Sequence, residues 1–278
     1  MKNSKWINYL AIFAFLACCL IGVVYFKNYR PTLKTATTDR GSLNNNIDKP
    51  NKADVPKAID GPITQKEIFL TIDDGPSANT TKIIDILNEN GVKATFFVIG
   101  KAAEKYPEMI KNLDENGMCV VSHTYTHDYK IYNSISTYMA DLNRCNEVLK
   151  NLLGKEPPPF IRFPGGSDNR VSNLQTMKSI RQAVKELGIY YVDWNVSSAD
   201  AAPGHVTPEQ IENNMITQSK SRKLVVSLMH DTQGKETTIE ALPVVIKSLK
   251  EQGFVFRTFQ DITPTEIKEL EKLKVIYR

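Results

Sequence analysis

Cysteine and histidine are both scarce in this chain, four of each among 278 residues. Cys18 and Cys19 sit together in an apolar N-terminal run, Cys119 in "MCVV" and Cys145 on a stretch with helical spacing. That spacing excludes a disulfide framework, and Cys119 and Cys145 read as small buried hydrophobes. Charge of one sign is also missing: 35 Lys and Arg face 31 Asp and Glu, for a net charge of +4. Without a concentrated basic stripe, the chain is not expected to bind nucleic acid. No internal repeat or long low-complexity tract is present.

The first 30 residues differ from the rest. From Tyr9 to Phe26 the chain carries no charge, and Ile7 extends the run past a single Asn8. Such a run nearly reaches the roughly 20 residues that span a bilayer. No small-x-small site closes it as a cleaved signal peptide would require, so residues 1–30 are expected to be an uncleaved transmembrane helix. Lys2 and Lys5 on one side and Lys27, Arg30 and Lys34 on the other leave its orientation open. Residues 31–63 are polar, aperiodic and rich in Asn, Pro and Gly, the composition of a tether.

From residue 64 to about 262 short apolar runs alternate with amphipathic stretches, the pattern of β-α units around a parallel sheet. Strands are predicted at 68–72, 94–99, 118–122, 160–163, 190–196, 224–228 and 254–259. Between them, Asn79-Thr80 is placed to cap a helix that Gly91 ends. A second helix carries Ile135, Met139, Leu142, Cys145 and Leu149 before Gly154. These apolar stripes are core. The α/β pattern suits an incomplete (β/α) barrel or an open doubly wound sheet, and periodicity does not separate the two. Residues 263–278, "TPTEIKELEKLKVIYR", read as an exposed charged helix.

In either architecture the reactive residues collect at the C-terminal ends of the parallel strands. Asp73 and Asp74 follow the first strand, "SHTYTH" (122–127) the third, "RFPGG" (162–166) the fourth and "LMHD" (228–231) the sixth. Adjacent aspartates alone are more often a solvated turn than a site. Joined to His123 and His127, four residues apart, they make a metal-site candidate, because two imidazoles and a carboxylate leave open positions on zinc. The second aspartate is then free to take a proton from water acidified by the metal. His230, from another strand end, is placed to act as general acid. Arg162 can clamp a carboxylate in two-pronged fashion, and the loop after it offers backbone N–H groups to a developing oxyanion.

At these residues the sequence resembles the NodB-homology polysaccharide deacetylases, carbohydrate esterase family 4. "TIDDGPS", "HTYTH", "RFPGG" and "LMH" match four of its motifs in order, over about Lys66 to Ile262. The resemblance implies a deformed, incomplete (β/α) barrel. It implies Asp73 as base, with Asp74, His123 and His127 as ligands of one divalent metal, Zn2+ ahead of Co2+ or Mn2+. It further implies Arg162 as the residue that orients Asp73, His230 as acid, the N–H of Gly165 as oxyanion donor and Leu228 as a substrate-side residue of the fifth motif.

Two departures stand out. Position 165 carries a larger side chain in many members, so Gly165 offers the substrate no wall. The fourth motif, Asp-x-x-Asp-Trp, falls on Ser197–Ala201. This puts Ser197 where the carboxylate that tunes the histidine is expected and Ala201 in place of Trp, leaving only Asp200. Asp193 shares the face of Ser197, but four residues at about 3.3 Å each carry it away. His230 is therefore expected to have a lowered pKa and to be a weaker acid. His205 reads as a solvated loop residue, and Tyr125 and Tyr129 as groove-lining or surface-packing.

The expected protein is a monomeric, membrane-tethered, metal-dependent hydrolase with its catalytic domain outside the cell. It would remove N-acetyl groups from amino sugars, with peptidoglycan N-acetylglucosamine favoured over chitin-type or exported polysaccharides. The rivals are a small-molecule amidase and a catalytically impaired wall-binding relative, the latter motivated by Ser197 and Ala201.

Overall fold

The computed structural model describes residues 60–278; the expected anchor and most of the tether lie outside them. Among the described residues no helix is long and apolar enough to cross a membrane.

The predicted strands form, two of them in halves. The first divides at Leu70 into β1 (Lys66–Phe69) and β2 (Thr71–Asp73) because each half has its own neighbours. β1 lies between β8 (Leu224–His230) and β9 (Phe254–Arg257), and β2 between β8 and β3 (Thr95–Val98). The fifth divides likewise into β6 (Tyr190–Val192), paired with β5 (Phe160–Ile161), and β7 (Val196–Ser197), paired with β8. With β4 (Cys119–Ser122) and β10 (Ile276–Tyr277) the sheet runs β10-β6-β5-β4-β3-β2-β8-β1-β9, with β7 on β8. Every pairing is parallel except β10 on β6.

This sheet curls but does not close. Strands sit about 4.8 Å apart, so β5 and β1, five places apart in the order, would be well over 20 Å from each other in a flat sheet. Yet the ring of Phe259 lies 5.0 Å from that of Phe160 on β5 and 4.9 Å from that of Phe69 on β1. Phe69, Phe97, Val121, Phe160, Val192 and Val226 therefore fill one interior, and β9 and β10 remain as unpaired edges. Alternate residues such as Ile68, Phe96 and Val120 point outward onto the helices, as the strand period of two requires. The architecture is the deformed, incomplete barrel that the resemblance implied.

The helices follow their punctuation. Ile83, Ile84 and Leu87 are buried on Thr80–Glu89, and Gly154 ends Ile135–Leu153 in the left-handed region at φ 68°. Asn79 makes no side-chain cap; its amide instead donates to the Thr232 carbonyl at 2.8 Å. The reading of the C-terminal segment as an exposed helix is corrected. Thr263 caps Pro264–Lys272, Glu266 forms a buried ion pair with Arg257 at 2.8 Å, and Leu270, Val275 and Ile276 belong to the interior cluster. Sequence periodicity misses this because the burial rests on few residues, and β10 contains only two.

Candidate active site

Parallel pairing brings Asp73, Ser122 and His230 to the same end of the barrel: Asp73 is in register with His230 across β2 and β8, and β4 ends at Ser122. Beyond the strand ends the backbone is strained. Among the described residues five non-glycine residues have positive φ, and four of them, Asp74, Thr124, His127 and Ala199, lie in these terminal loops. Each such residue costs on the order of 1–3 kcal/mol and persists only where surrounding contacts dictate it. Asp141 supplies such contacts in the histidine loop, accepting from the N–H of Tyr125 at 2.6 Å and of Thr126 at 3.1 Å.

Asp74, His123 and His127 place one ligand atom each within 4.8 Å of one another. Nδ1 of His123 is 2.8 Å from the Arg162 carbonyl. A carbonyl only accepts, so Nδ1 carries the hydrogen and Nε2 presents a lone pair. That lone pair faces Oδ1 of Asp74 at 3.4 Å, and Nε2 of His127 faces the same oxygen at 3.2 Å. The oxygen is buried and has no hydrogen-bond partner. Burial, and then the neighbouring His123, lower the pKa of His127 and favour the neutral imidazole that a metal needs. Burial pushes the Asp74 carboxyl up, but positive charge on His123 first, then on His127 and His230, outweighs it and holds it well below the usual range; beside neutral imidazoles a bound cation would supply that charge. An orphaned carboxylate oxygen among imidazole lone pairs fits a divalent cation.

Asp73 is 2% exposed and Arg162 fully buried, so Arg162 is no surface ion pair. Its grip on Asp73 is single, correcting the two-pronged expectation: Nη1 donates to Oδ1 of Asp73 at 2.7 Å and to Thr71 Oγ1 at 2.6 Å. Nε and Nη2 go instead to the carbonyls of Val192 and Asp193, each at 3.1 Å.

The expectation for the fourth motif is overturned. Nδ1 of His230 is 2.7 Å from Oδ1 of Asp200, so the carboxylate comes from the motif's second aspartate position. Burial lowers the pKa of His230, but the hydrogen bond and charge of Asp200, with Asp73 and Asp74 behind it, raise it overall. The left-handed turn at Ala199 lets the chain fold back toward β8, which linear strand spacing could not anticipate. Asp193 is engaged elsewhere, accepting from the Ser167 N–H at 2.9 Å and its hydroxyl at 2.5 Å, so it anchors the "RFPGG" loop.

In that loop Gly166 donates its N–H to Phe163, whereas Gly165 is exposed and its N–H meets no acceptor among the described residues. Leu228 lies two residues before His230 on the same face of β8, 8% exposed. His205 is on the surface. Tyr125 is packed, with its hydroxyl on Glu104 and its ring under Arg144, so of the two tyrosines only Tyr129 stands open. Asp231, the last residue of "LMHD", is buried and accepts from Ser77 at 2.6 Å and from Thr80; it braces the turn that carries Asp74.

A buried carboxylate held by an arginine, an imidazole with an acidic partner, a metal-type donor set and a free backbone donor define a hydrolase of amide or ester bonds. A family model for polysaccharide deacetylases matches residues 60–192. A peptidoglycan-N-acetylglucosamine deacetylase of Bacillus cereus is 31% identical over 211 residues, 75% of this chain and 72% of the relative. A peptidoglycan-N-acetylmuramic acid deacetylase of Bacillus subtilis is 26% identical over 73% of each. The solved catalytic domain of a peptidoglycan N-acetylglucosamine deacetylase from Eubacterium rectale superposes with a TM-score of 0.67 at 33% identity, covering 77% of this chain and 96% of that one. The chain belongs to the polysaccharide deacetylase family, carbohydrate esterase family 4, and is an N-deacetylase acting on linear amide bonds.

Proposed function

We propose that the chain is a metal-dependent deacetylase of peptidoglycan N-acetylglucosamine. One juxtaposition carries this reading: the Asp74–His123–His127 donor set adjoins Asp73, gripped by Arg162, and His230, gripped by Asp200. Asp74, His123 and His127 would hold a divalent cation, with Zn2+ preferred for an Asp-His-His set, and such an ion would supply Lewis acidity toward the acetyl carbonyl and a bound water. Asp73 takes the proton of the attacking water, the N–H of Gly165 stabilises the oxyanion, and His230 delivers a proton from Nε2 to the departing amine. Asp200 holds Nδ1 of His230, so the mobile proton sits on the nitrogen that faces the site.

Two N-acetylglucosamine deacetylases, at 31% and 33% identity against 26% for the N-acetylmuramic acid enzyme, support the former sugar, although another N-acetylglucosamine deacetylase of Bacillus cereus is itself 26% identical. The impaired wall-binding alternative loses the part of its motive that rested on Ser197, since Asp200 supplies the carboxylate it presumed missing, while Ala201 still stands where the motif has Trp. A wall substrate also fits residues 1–30 as an anchor with the catalytic domain outside.

The test is acetate release from N-acetylglucosamine oligomers and purified peptidoglycan by the zinc-loaded protein, with a chelated control. Release from peptidoglycan that stops with chelator is expected. No release from either substrate by protein with metal bound would sink the reading.

A further inference from the structure

Gly165 removes a wall from the site, yet the space beside it is not open. A Cβ added there would stand 3.0 Å from Oη and 3.4 Å from Cε1 of Tyr129. Tyr129 comes from another segment, two residues beyond His127, where it starts the 3-10 turn Tyr129–Asn133. Asp128 secures that turn by accepting from the Lys130 N–H at 2.9 Å. The ring is backed by Tyr132, stacked at 6.3 Å and 27°. Tyr132 is fully buried and donates to the Pro164 carbonyl at 2.9 Å. The tyrosine pair is thereby tied to the loop that carries Gly165. On its other side Tyr129 lies 6.1 Å from the ring of His127.

Tyr129 nevertheless remains 46% exposed, and its hydroxyl donates to no acceptor among the described residues. A buttressed ring with an unengaged hydroxyl, between a metal-type ligand and the free N–H of Gly165, is arranged for a ligand with an apolar face and polar edges. A pyranose is such a ligand, and tyrosine meets it at little entropic cost.

Resting on the deacetylase reading above, we propose that Tyr129 is the substrate-positioning wall of this enzyme. Its ring packs on the apolar face of the sugar whose acetyl oxygen is held at Gly165, and its hydroxyl bonds to that sugar's polar edge. The left-handed φ of 76° at Gly165 and the tyrosine tip 3.0 Å from an added Cβ disfavour a side chain at 165, so the wall is contributed by Tyr129, well upstream in sequence.

The test compares steady-state kinetics of wild type, Tyr129→Ala and Tyr129→Phe on N-acetylglucosamine oligomers, with metal content and thermal unfolding measured alongside. Tyr129→Ala is expected to raise KM about tenfold with kcat little changed and metal retained. Tyr129→Phe, which keeps the stack and serves if the alanine variant does not fold, is expected to raise KM about threefold. A tyrosine that merely packs on Tyr132 would lower thermal stability and leave KM unmoved, and that result overturns the proposal. Loss of metal with a fall in kcat would overturn it too, making Tyr129 a support for His127. An inactive wild type would instead refute the deacetylase reading, and the inference with it.

Discussion

Asp200 grips His230 twice: Oδ1 accepts from Nδ1 at 2.7 Å, and Oδ2 accepts from the His230 backbone N–H at 2.8 Å. Thr238 donates to the same carboxylate at 2.9 Å. Burial pushes the carboxyl of Asp200 up, but His230 and these donors hold it below its usual range. It therefore stays charged beside the imidazole.

Asp200→Asn should expose that dependence. The facing carboxylate raises the pKa of His230, and a general acid works only while protonated, so activity falls as pH rises through that raised value. Removing the charge should move the alkaline limb of kcat/KM about one unit or more toward acid. The same sign governs stability. The pair's contribution is complete below the unfolded histidine pKa of about 6.5 and is lost as pH rises through the folded value. An unmoved alkaline limb in the variant would assign the acid to another group.

Arg162→Met should be costly although the replacement is apolar. Methionine can still cover Phe97, whose ring lies 4.3 Å from the guanidinium. Asp73, however, would be left buried without its cation, along with unpaired carbonyls at Val192 and Asp193. Removing one partner of a buried pair costs about 3–5 kcal/mol, read as a lowered denaturant midpoint. A loss below about 1 kcal/mol would show that Asp73 finds water or another donor.

The sequence made the rim legible because motifs at strand ends need only local order and parallel pairing to converge. Asp73, Asp74, His123, His127, Arg162 and His230 needed nothing more. The role of Asp200 is not legible in the sequence because it depends on the left-handed turn at Ala199, which brings the carboxylate back to His230. Arg162's single grip was hidden because carbonyls of β6 and the residue after it, distant in sequence, claim its other arms. Tyr129 could be placed only once the fold had brought two loops together.

Glu266→Ala tests the C-terminal helix as part of the barrel. Glu266 is 2% exposed and accepts from Arg257 while its other oxygen accepts from the Thr263 N–H. The variant loses a capping box and the carboxylate paired with a buried guanidinium, which keeps the Asp261 carbonyl and the neighbouring Glu67, for an expected loss of about 2–4 kcal/mol. Unchanged thermal unfolding would return the helix to the status of an appendage.

The assignment of base and ligand rests on a pair of substitutions with opposite consequences for metal. Asp73→Asn keeps size and retains a group for Arg162 to donate to, while removing the acceptor for the water proton. Turnover should fall by at least about a hundredfold, the low end of what a general base contributes, with bound metal unchanged. His123→Ala removes one of the three ligand atoms. It should lose metal and activity together, with bound metal measured by elemental analysis after dialysis. Near-normal turnover in Asp73→Asn would take Asp73 out of the base role. Full metal content in His123→Ala would move the cation away from the Asp74–His123–His127 cluster altogether.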